Sequence, residues 1–296
     1  MIRILGTFFA ALSGLAFGSF LNVCITRWPQ GESIVRPRSR CRNCERTLTW
    51  WENIPLVSWL TLHGRCRTCG AWIGWRYPIV ELAIGGLWAL IAWRFLDLSR
   101  FAALSQPALI REAVTAVAFA LFCWLLVALA VLDAEHLWLP DWLTWPGILA
   151  GFLFSALLPA ADRAPQLISW GHSPRLRAAA ASLLSALLAA LLILVIRWLY
   201  KLLRHHEGVG LGDAKLMALL GAWLGLEGAL LAFGIGVVLG AIVALIALAL
   251  PASRSDDQQT WALRKMPLGT FLSIGGIVSA LWGQPLIAAY LRWAGI

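Results

Sequence analysis

Asp133 closes an apolar run in the stretch VLDAEHLWLPD, and Asp213, eighty residues on, stands in GVGLGDAKLM at the mouth of another. A charge at the centre of a lipid-length segment costs about 2.5–3.5 kcal/mol on insertion scales, so each carboxylate is a candidate for function. Asp133 sits where a helix C-terminus disfavours an anion, which is not a comfortable local placement. Asp141, after Pro140 and before an apolar run, reads as the N-cap of the next helix. Glu135 and His136 could line the same wet edge, but without H-E-x-x-H spacing they do not indicate a catalytic metal. Asp213 follows Gly208, Gly210 and Gly212, which are expected to let the backbone take positive φ and approach a neighbour closely. Starting a helix there, Asp213 would meet the positive end of the dipole. A cap alone explains neither three glycines nor Lys215 two residues later. Two aspartates face to face near water share one proton, one acting as base toward water and the other as acid toward a scissile carbonyl. That is the chemistry of an aspartic peptidase.

A second constellation lies in the only sizeable polar segment. CRNC and CRTC carry Cys41, Cys44, Cys66 and Cys69, two knuckles separated by 21 residues. Four thiolates so arranged can close a tetrahedral zinc site, although the gap is just beyond the usual window. A loop of about fifty residues has little core, and a metal would supply folding energy. A redox dithiol or disulfides are the alternative; matched pairs in a reducing compartment favour metal. Arg40, Arg42, Arg65 and Arg67 beside the knuckles are expected to stabilise thiolates. Cys24 and Cys123 lie inside apolar runs and read as small buried residues.

The elements that must position these groups are membrane helices. The 296 residues are 60% hydrophobic and 13% charged, with a mean hydropathy of +0.76, which excludes an ordinary soluble domain. Apolar stretches at 4–25, 78–96, 113–132, 142–159, 178–200, 228–250 and 267–291, with a shorter one at 214–226, give an all-α polytopic fold of about eight transmembrane helices. The first is read as a retained span, not a removed signal peptide. The chain divides into a first helix at 1–26, a cytoplasmic metal-binding loop domain at 27–77 and a membrane bundle at 78–296. Residues 27–77 hold nine arginines against three glutamates, so the positive-inside rule places this loop in the cytoplasm and the N-terminus outside. Counting forward puts Asp133, Asp213 and the loop RSDDQQTWALRK at the cytoplasmic edge; residues 160–178, with Asp162, Arg163, Arg175 and Arg177, fall outside and weaken the count slightly. The net charge of +9 fits basic loops meeting anionic lipid and requires no nucleic acid. Gly221 with Gly225, and Gly236 with Gly240, have the spacing of close helix packing. A proton or ion relay would want its charges at the midplane and inverted repeats, which are not seen. A zinc-ribbon scaffold would not need two aspartates.

Taken together, GSFLNVCITRWP, the two cysteine knuckles, NIPLVSWLTLHGRCRTCG, RYPIVEL, VLDAEHLWLPD and GVGLGDAKLMALLGAWLG resemble the type IV prepilin peptidases over nearly the whole chain. The resemblance implies a bundle of mostly eight membrane helices with a zinc-binding loop after the first, in the bacterial inner membrane. It implies a catalytic pair at Asp133 and Asp213, with Gly210, Gly212, Lys215 and Asp141 supporting it. Ala214 stands where the family usually has an aromatic residue. The implied substrates are prepilins or pseudopilins, cut after a glycine at the cytoplasmic face between a basic leader and an apolar segment, in the service of pilus or type II secretion machinery. Methylation of the new N-terminus from S-adenosylmethionine is implied too. Glu81 in RYPIVEL is the candidate acid for that step, or else the buried partner of an arginine such as Arg76.

Overall fold

The computed structural model describes residues 1–96, 105–158, 173–205, 210–249 and 266–295. Gly208, Asp162, Arg163 and the segment RSDDQQTWALRK, which entered the expectations above, lie outside the described residues.

Helices dominate. The long ones are α1 (Ile2–Arg27), α3 (Arg76–Phe95), α4 (Gln106–His136), α5 (Asp141–Leu157), α6 (Pro174–Arg204), α7 (Leu211–Ala249) and α8 (Leu268–Ala294), with a five-residue α2 (Val57–Thr61) in the polar loop. Among the described residues six helices are long and apolar enough to cross a membrane. The other two expected spans have physical explanations. α5, at 17 residues, falls just under the length of a perpendicular span. α7 has 39 residues and breaks at Gly225, whose φ of 75° and ψ of 176° are not helical. Unbroken it would run about 58 Å, nearly twice the ~30 Å hydrocarbon core. The two apolar runs foreseen at 214–226 and 228–250 are its two halves, so eight apolar helical segments are present among the described residues. Gly225 is therefore a break and not a packing residue, since a methyl group added there would meet nothing within 4 Å.

The chain forms two compact units, Met1–Ala128 and Leu129–Ile296. In the first, α1 packs on α3 at backbone distance. A Cβ on Gly18 would lie 2.7 Å from Glu81 Cα, and one on Gly14 2.8 Å from the Ile84 carbonyl. Small residues permit such approach where lipid supplies no hydrophobic drive between helices. Indole N–H groups fasten the unit: Trp88 donates to the Ala120 carbonyl at 3.0 Å and Trp124 to that of Phe17 at 3.2 Å.

In the second unit α7 is central, packed by α5, α6 and α8. Gly221 meets the Ser185 carbonyl of α6, Gly236 meets the backbone of Phe271 and Leu272 in α8, and Gly240 faces the Phe271 ring. These three behave as the small-residue spacing foretold. Trp223 donates its indole N–H to the Gly147 carbonyl of α5 at 2.9 Å. α6 begins at Pro174 with Ser173 as a true cap, its hydroxyl accepting from the Leu176 amide, so Arg175 and Arg177 stand in its first turn.

Gly221→Ala would press a methyl group to 2.5 Å from the Ser185 carbonyl, and should lower the thermal midpoint of the detergent-purified protein by roughly 3–8 °C. Gly234→Ala, which meets nothing, should leave the midpoint in place; equal midpoints for the two variants would contradict the packing described.

Candidate active site and metal centre

Asp133 is carried one turn from the end of α4 and is 6% exposed. Its Oδ2 accepts the Thr270 amide at 2.8 Å and lies 3.3 Å from the Thr270 hydroxyl, which also donates to the Ala130 carbonyl at 2.9 Å. The donor comes from the first turn of α8, so the positive end of that helix offsets the unfavourable C-terminal end of α4. A Cβ on Gly269 would sit 2.9 Å from Asp133 Oδ2. Neither Gly269 nor Thr270 was foreseen. They lie 137 residues from their partner in the case of Thr270, and their residue types announce no chemistry.

Asp213 is 8% exposed and stands in the first turn of α7. Its Oδ2 accepts the Gly210 amide at 3.2 Å, the reach-back geometry of a capping box. Asp133 lies within electrostatic reach of it. A physical link joins the two: Leu139 Cδ1 would lie 3.1 Å from a Cβ on Gly212 and 3.0 Å from one on Gly269. The structure thus brings Asp133, Asp213, Gly210 and Gly212 together.

Two expectations are corrected. Gly212 lies within α7 and is not among the positive-φ residues; a methyl group there would meet the Leu139 side chain at 3.1 Å. Asp141 is not the N-cap of α5. Pro140, with φ −69° and ψ 132°, takes the extended cap position, and Asp141 is the first helical residue with no capping bond. Its carboxylate instead receives Lys215 Nζ, which ties the start of α5 to the start of α7. Lys215 is therefore occupied by Asp141. Glu135 and His136 lie together at the open end of α4, 3.9 Å apart.

In the unit Met1–Ala128, the four cysteines converge as the spacing required. All four sulfurs lie within 4.8 Å of one another, with Cys41–Cys69 at 3.8 Å and Cys44–Cys66 at 4.0 Å. A metal bound at ~2.3 Å to four tetrahedral sulfurs would set them ~3.8 Å apart, so the group could hold one metal ion. The two knuckles repeat each other at an offset of 25. Arg40 bridges to Thr47 as Arg65 does to Trp72, and Cys41 N–H bonds the Arg46 carbonyl as Cys66 N–H bonds that of Ala71. Leu48 N–H reaches the Ser39 carbonyl as Ile73 N–H reaches that of Gly64, and Glu45 and Gly70 both take positive φ.

Backbone amides, rather than arginines, condition the sulfurs. The Cys69 and Thr68 amides pull the Cys66 thiol down to about 6, and the Ala71 amide lowers that of Cys69. The Arg46 amide acts downward on Cys44, but burial and the neighbouring thiols outweigh it and push that thiol to about 11. The flanking arginines have other partners: Arg40 reaches Glu32, Arg42 the Thr26 carbonyl, and Arg67 the Trp51 ring.

Two buried acids hold this loop in shape. Glu52 receives both Arg46 guanidinium nitrogens at 2.6 and 3.2 Å and the Thr49 amide and hydroxyl. Glu81 Oε2 accepts the Leu56 amide at 2.8 Å, where Leu56 itself has φ of 59°. Arg76, offered above as its partner, donates to the Thr26 hydroxyl at 2.7 Å.

Comparison with known proteins adds the following. A family model described as the bacterial peptidase A24 N-terminal domain matches residues 12–95, and one described as the type IV leader peptidase family matches 120–245. The chain is 33% identical over 308 residues to a prepilin leader peptidase/N-methyltransferase of Stutzerimonas stutzeri, covering 96% of this chain and 93% of that protein. It is 33% identical over 309 residues to the Pseudomonas aeruginosa protein of the same description, covering 96% and 93%. With that of Burkholderia pseudomallei strain 1026b it shares 34% identity over 302 residues, covering 94% and 85%. No solved structure matches the chain.

The Arg46 guanidinium holds the Glu52 carboxyl at about 2, below its ordinary 4.5. A depressed carboxyl contributes stability that is complete above its unfolded value and lost as pH falls through its folded value. Glu52→Gln should therefore speed proteolysis of the 27–77 loop at pH 7, and the difference from the parent should shrink as pH approaches 2. A protease-resistance profile against pH checks this; equal resistance at pH 7 would refute it.

Proposed function

The chain belongs to the type IV leader peptidase family, and from that premise we propose that Asp133 and Asp213 are the catalytic pair of a membrane-embedded aspartic endopeptidase. The protein removes the leader of type IV prepilins or pseudopilins and N-methylates the new N-terminus. The single observation that supports the pair is that two buried carboxylates, from the end of α4 and the start of α7, belong to segments that meet at Leu139, which packs against both Gly212 beside Asp213 and Gly269 against Asp133.

The chemistry follows from that arrangement. One carboxylate takes a proton from water as the water oxygen attacks the scissile carbonyl carbon, and its protonated partner gives a proton to the carbonyl oxygen. Collapse of the tetrahedral intermediate breaks the C–N bond, and the amine leaves with a proton returned by the pair. Gly210 orients Asp213 through its amide, Gly212 allows close approach, and the Lys215–Asp141 pair fixes the helix starts that carry the site.

The four cysteines hold a structural zinc ion, in keeping with the tetrahedral sulfur spacing. When bound, it would supply folding energy to a loop whose aromatic cluster of Trp59, Trp72 and Trp75 leaves two of its three rings exposed. S-adenosylmethionine is the methyl donor of the second activity. A cavity of about 700 Å³ between α1 and the loop is lined by Phe20, Arg27, Arg38, Trp50 and Asn53 among others. Its lining carries two guanidiniums and no carboxylate, which does not match the donor's ammonium and sulfonium, so no residue of the cavity is assigned to it. Glu81 is the candidate acid of the methylation half, and its carboxylate also accepts the Leu56 amide. The protein lies in the bacterial inner membrane with the N-terminus outside and both loop and aspartates at the cytoplasmic face, supported by the arginine excess of residues 27–77. Pilus or type II secretion machinery receives the product.

Asp133→Asn or Asp213→Asn should abolish cleavage of a prepilin in membranes while leaving insertion intact, read by mass spectrometry of the product; full activity in either would refute the pair. The purified chain should carry about one zinc ion, and Cys41→Ser or Cys66→Ser should lower that content; unchanged content would refute the metal assignment.

A further inference from the structure

We infer that Leu139 is the spacer that sets the separation of Asp133 and Asp213, and that Gly212 is glycine because this side chain fills the space beside it, while at Gly269 Leu139 and the Asp133 carboxyl fill it together. The inference rests on the aspartate pair proposed above and adds a positioning residue to it.

The path of the chain makes Leu139 available for this. α4 ends where the Leu137 amide closes onto the Asp133 carbonyl at 2.9 Å, and Leu137 takes φ of 50°. A left-handed leucine is an uncommon way to end a helix, a place more often given to glycine. It persists only where the surroundings fix it, and here it turns the chain back toward the α4 terminus. Pro140 then fixes the entry to α5. Between the two, Leu139 is driven inward and is 9% exposed.

The wedge is two-sided. A methyl group on Gly212 would lie 3.1 Å from Leu139 Cδ1, 3.2 Å from its Cβ and 3.6 Å from its Cγ. The three nearest atoms outside its own chain neighbours all belong to Leu139. A methyl group on Gly269 would lie 3.0 Å from Leu139 Cδ1 and 3.0 Å from Asp133 Cγ. Gly212 directly precedes Asp213, while Gly269 lies against Asp133. The isobutyl group therefore separates the two backbone segments that carry and cradle the acids. A close-packed leucine cannot be compressed, so it fixes the distance between the two segments. Gly212 thus has a steric role, independent of backbone handedness.

The test is a double-substitution cycle on the full-length protein in liposomes with a prepilin substrate, measuring kcat, KM and thermal midpoint separately. Leu139→Ala removes the spacer and Gly212→Ala overfills the gap, and each should lower kcat on the order of 10²-fold with little change in KM. In the double variant the added methyl group enters the vacated space, so its kcat should exceed the product of the single effects by about tenfold or more. Leu139→Met, which conserves volume, should recover most of the rate. Should Leu139→Ala fail to accumulate, Leu139→Val serves in the same cycle. Wild-type kcat with only a lower midpoint in Leu139→Ala would overturn the inference, as would single effects that simply multiply. An Asp133→Asn control separates the two claims: inactive, it leaves the pair standing while Leu139 is judged on the cycle; active, it removes the pair itself.

Discussion

Two like charges must be kept side by side within a bundle made of lipid-length apolar helices, and most of the second unit can be read as the means of doing so. Among the described residues, no ion pair matches either carboxylate with a cation. Lys215, the nearest sequence candidate, is spent on Asp141. The work falls instead to backbone amides. Thr270 at the start of α8 donates to Asp133, and Gly210 before α7 donates to Asp213. Helix N-termini offer fixed partial positive charge without a mobile counterion, so the pair is stabilised yet free to exchange a proton with water. A lysine in the same place would lock one carboxylate in its ionised form and take it out of acid–base work.

The close helix packing serves the same end. α7 carries Asp213 at its start and is gripped along its first half by α5 and α6 and along its second by α8. Glycine-mediated contacts at Gly221 and Gly236 fix its depth and rotation. Because α8 supplies the amide that holds Asp133, the α7–α8 contact also indirectly sets the aspartate geometry. The break at Gly225 lets one long apolar stretch fit two short helices, so the terminus that bears Asp213 need not follow the tilt of the distal half.

Much of this was legible in the sequence, and the reason is energetic. Asp133 and Asp213 stood out because carboxylates beside apolar runs are expensive, and Cys41, Cys44, Cys66 and Cys69 because their paired spacing has few uses. The helices followed from hydropathy. What escaped was carried by residues whose role depends on a partner distant in the chain. Gly269 and Thr270 hold Asp133 through a backbone amide, which every residue type but proline possesses. For Gly212 the sequence suggests both positive φ and close approach to a neighbour; it is the close approach, to the Leu139 side chain, that the structure has. Asp141 after Pro140 reads as a cap from sequence, yet proline itself occupies the cap position and Asp141 pairs with Lys215. The arginines beside the knuckles suggested thiolate stabilisation by charge, while amides two or three residues along the knuckle do that work at far shorter range.

The central claim is that residues 133 and 213 face each other across a gap small enough for one water. The most direct measurement replaces both with cysteine and treats membranes carrying the double variant with the shortest bifunctional thiosulfonate, followed by proteolysis and mass spectrometry. A peptide pair bridged between positions 133 and 213 is the predicted result. If each thiol is labelled singly by a monofunctional reagent but the two are never bridged, the carboxylates do not meet, and the account is contradicted.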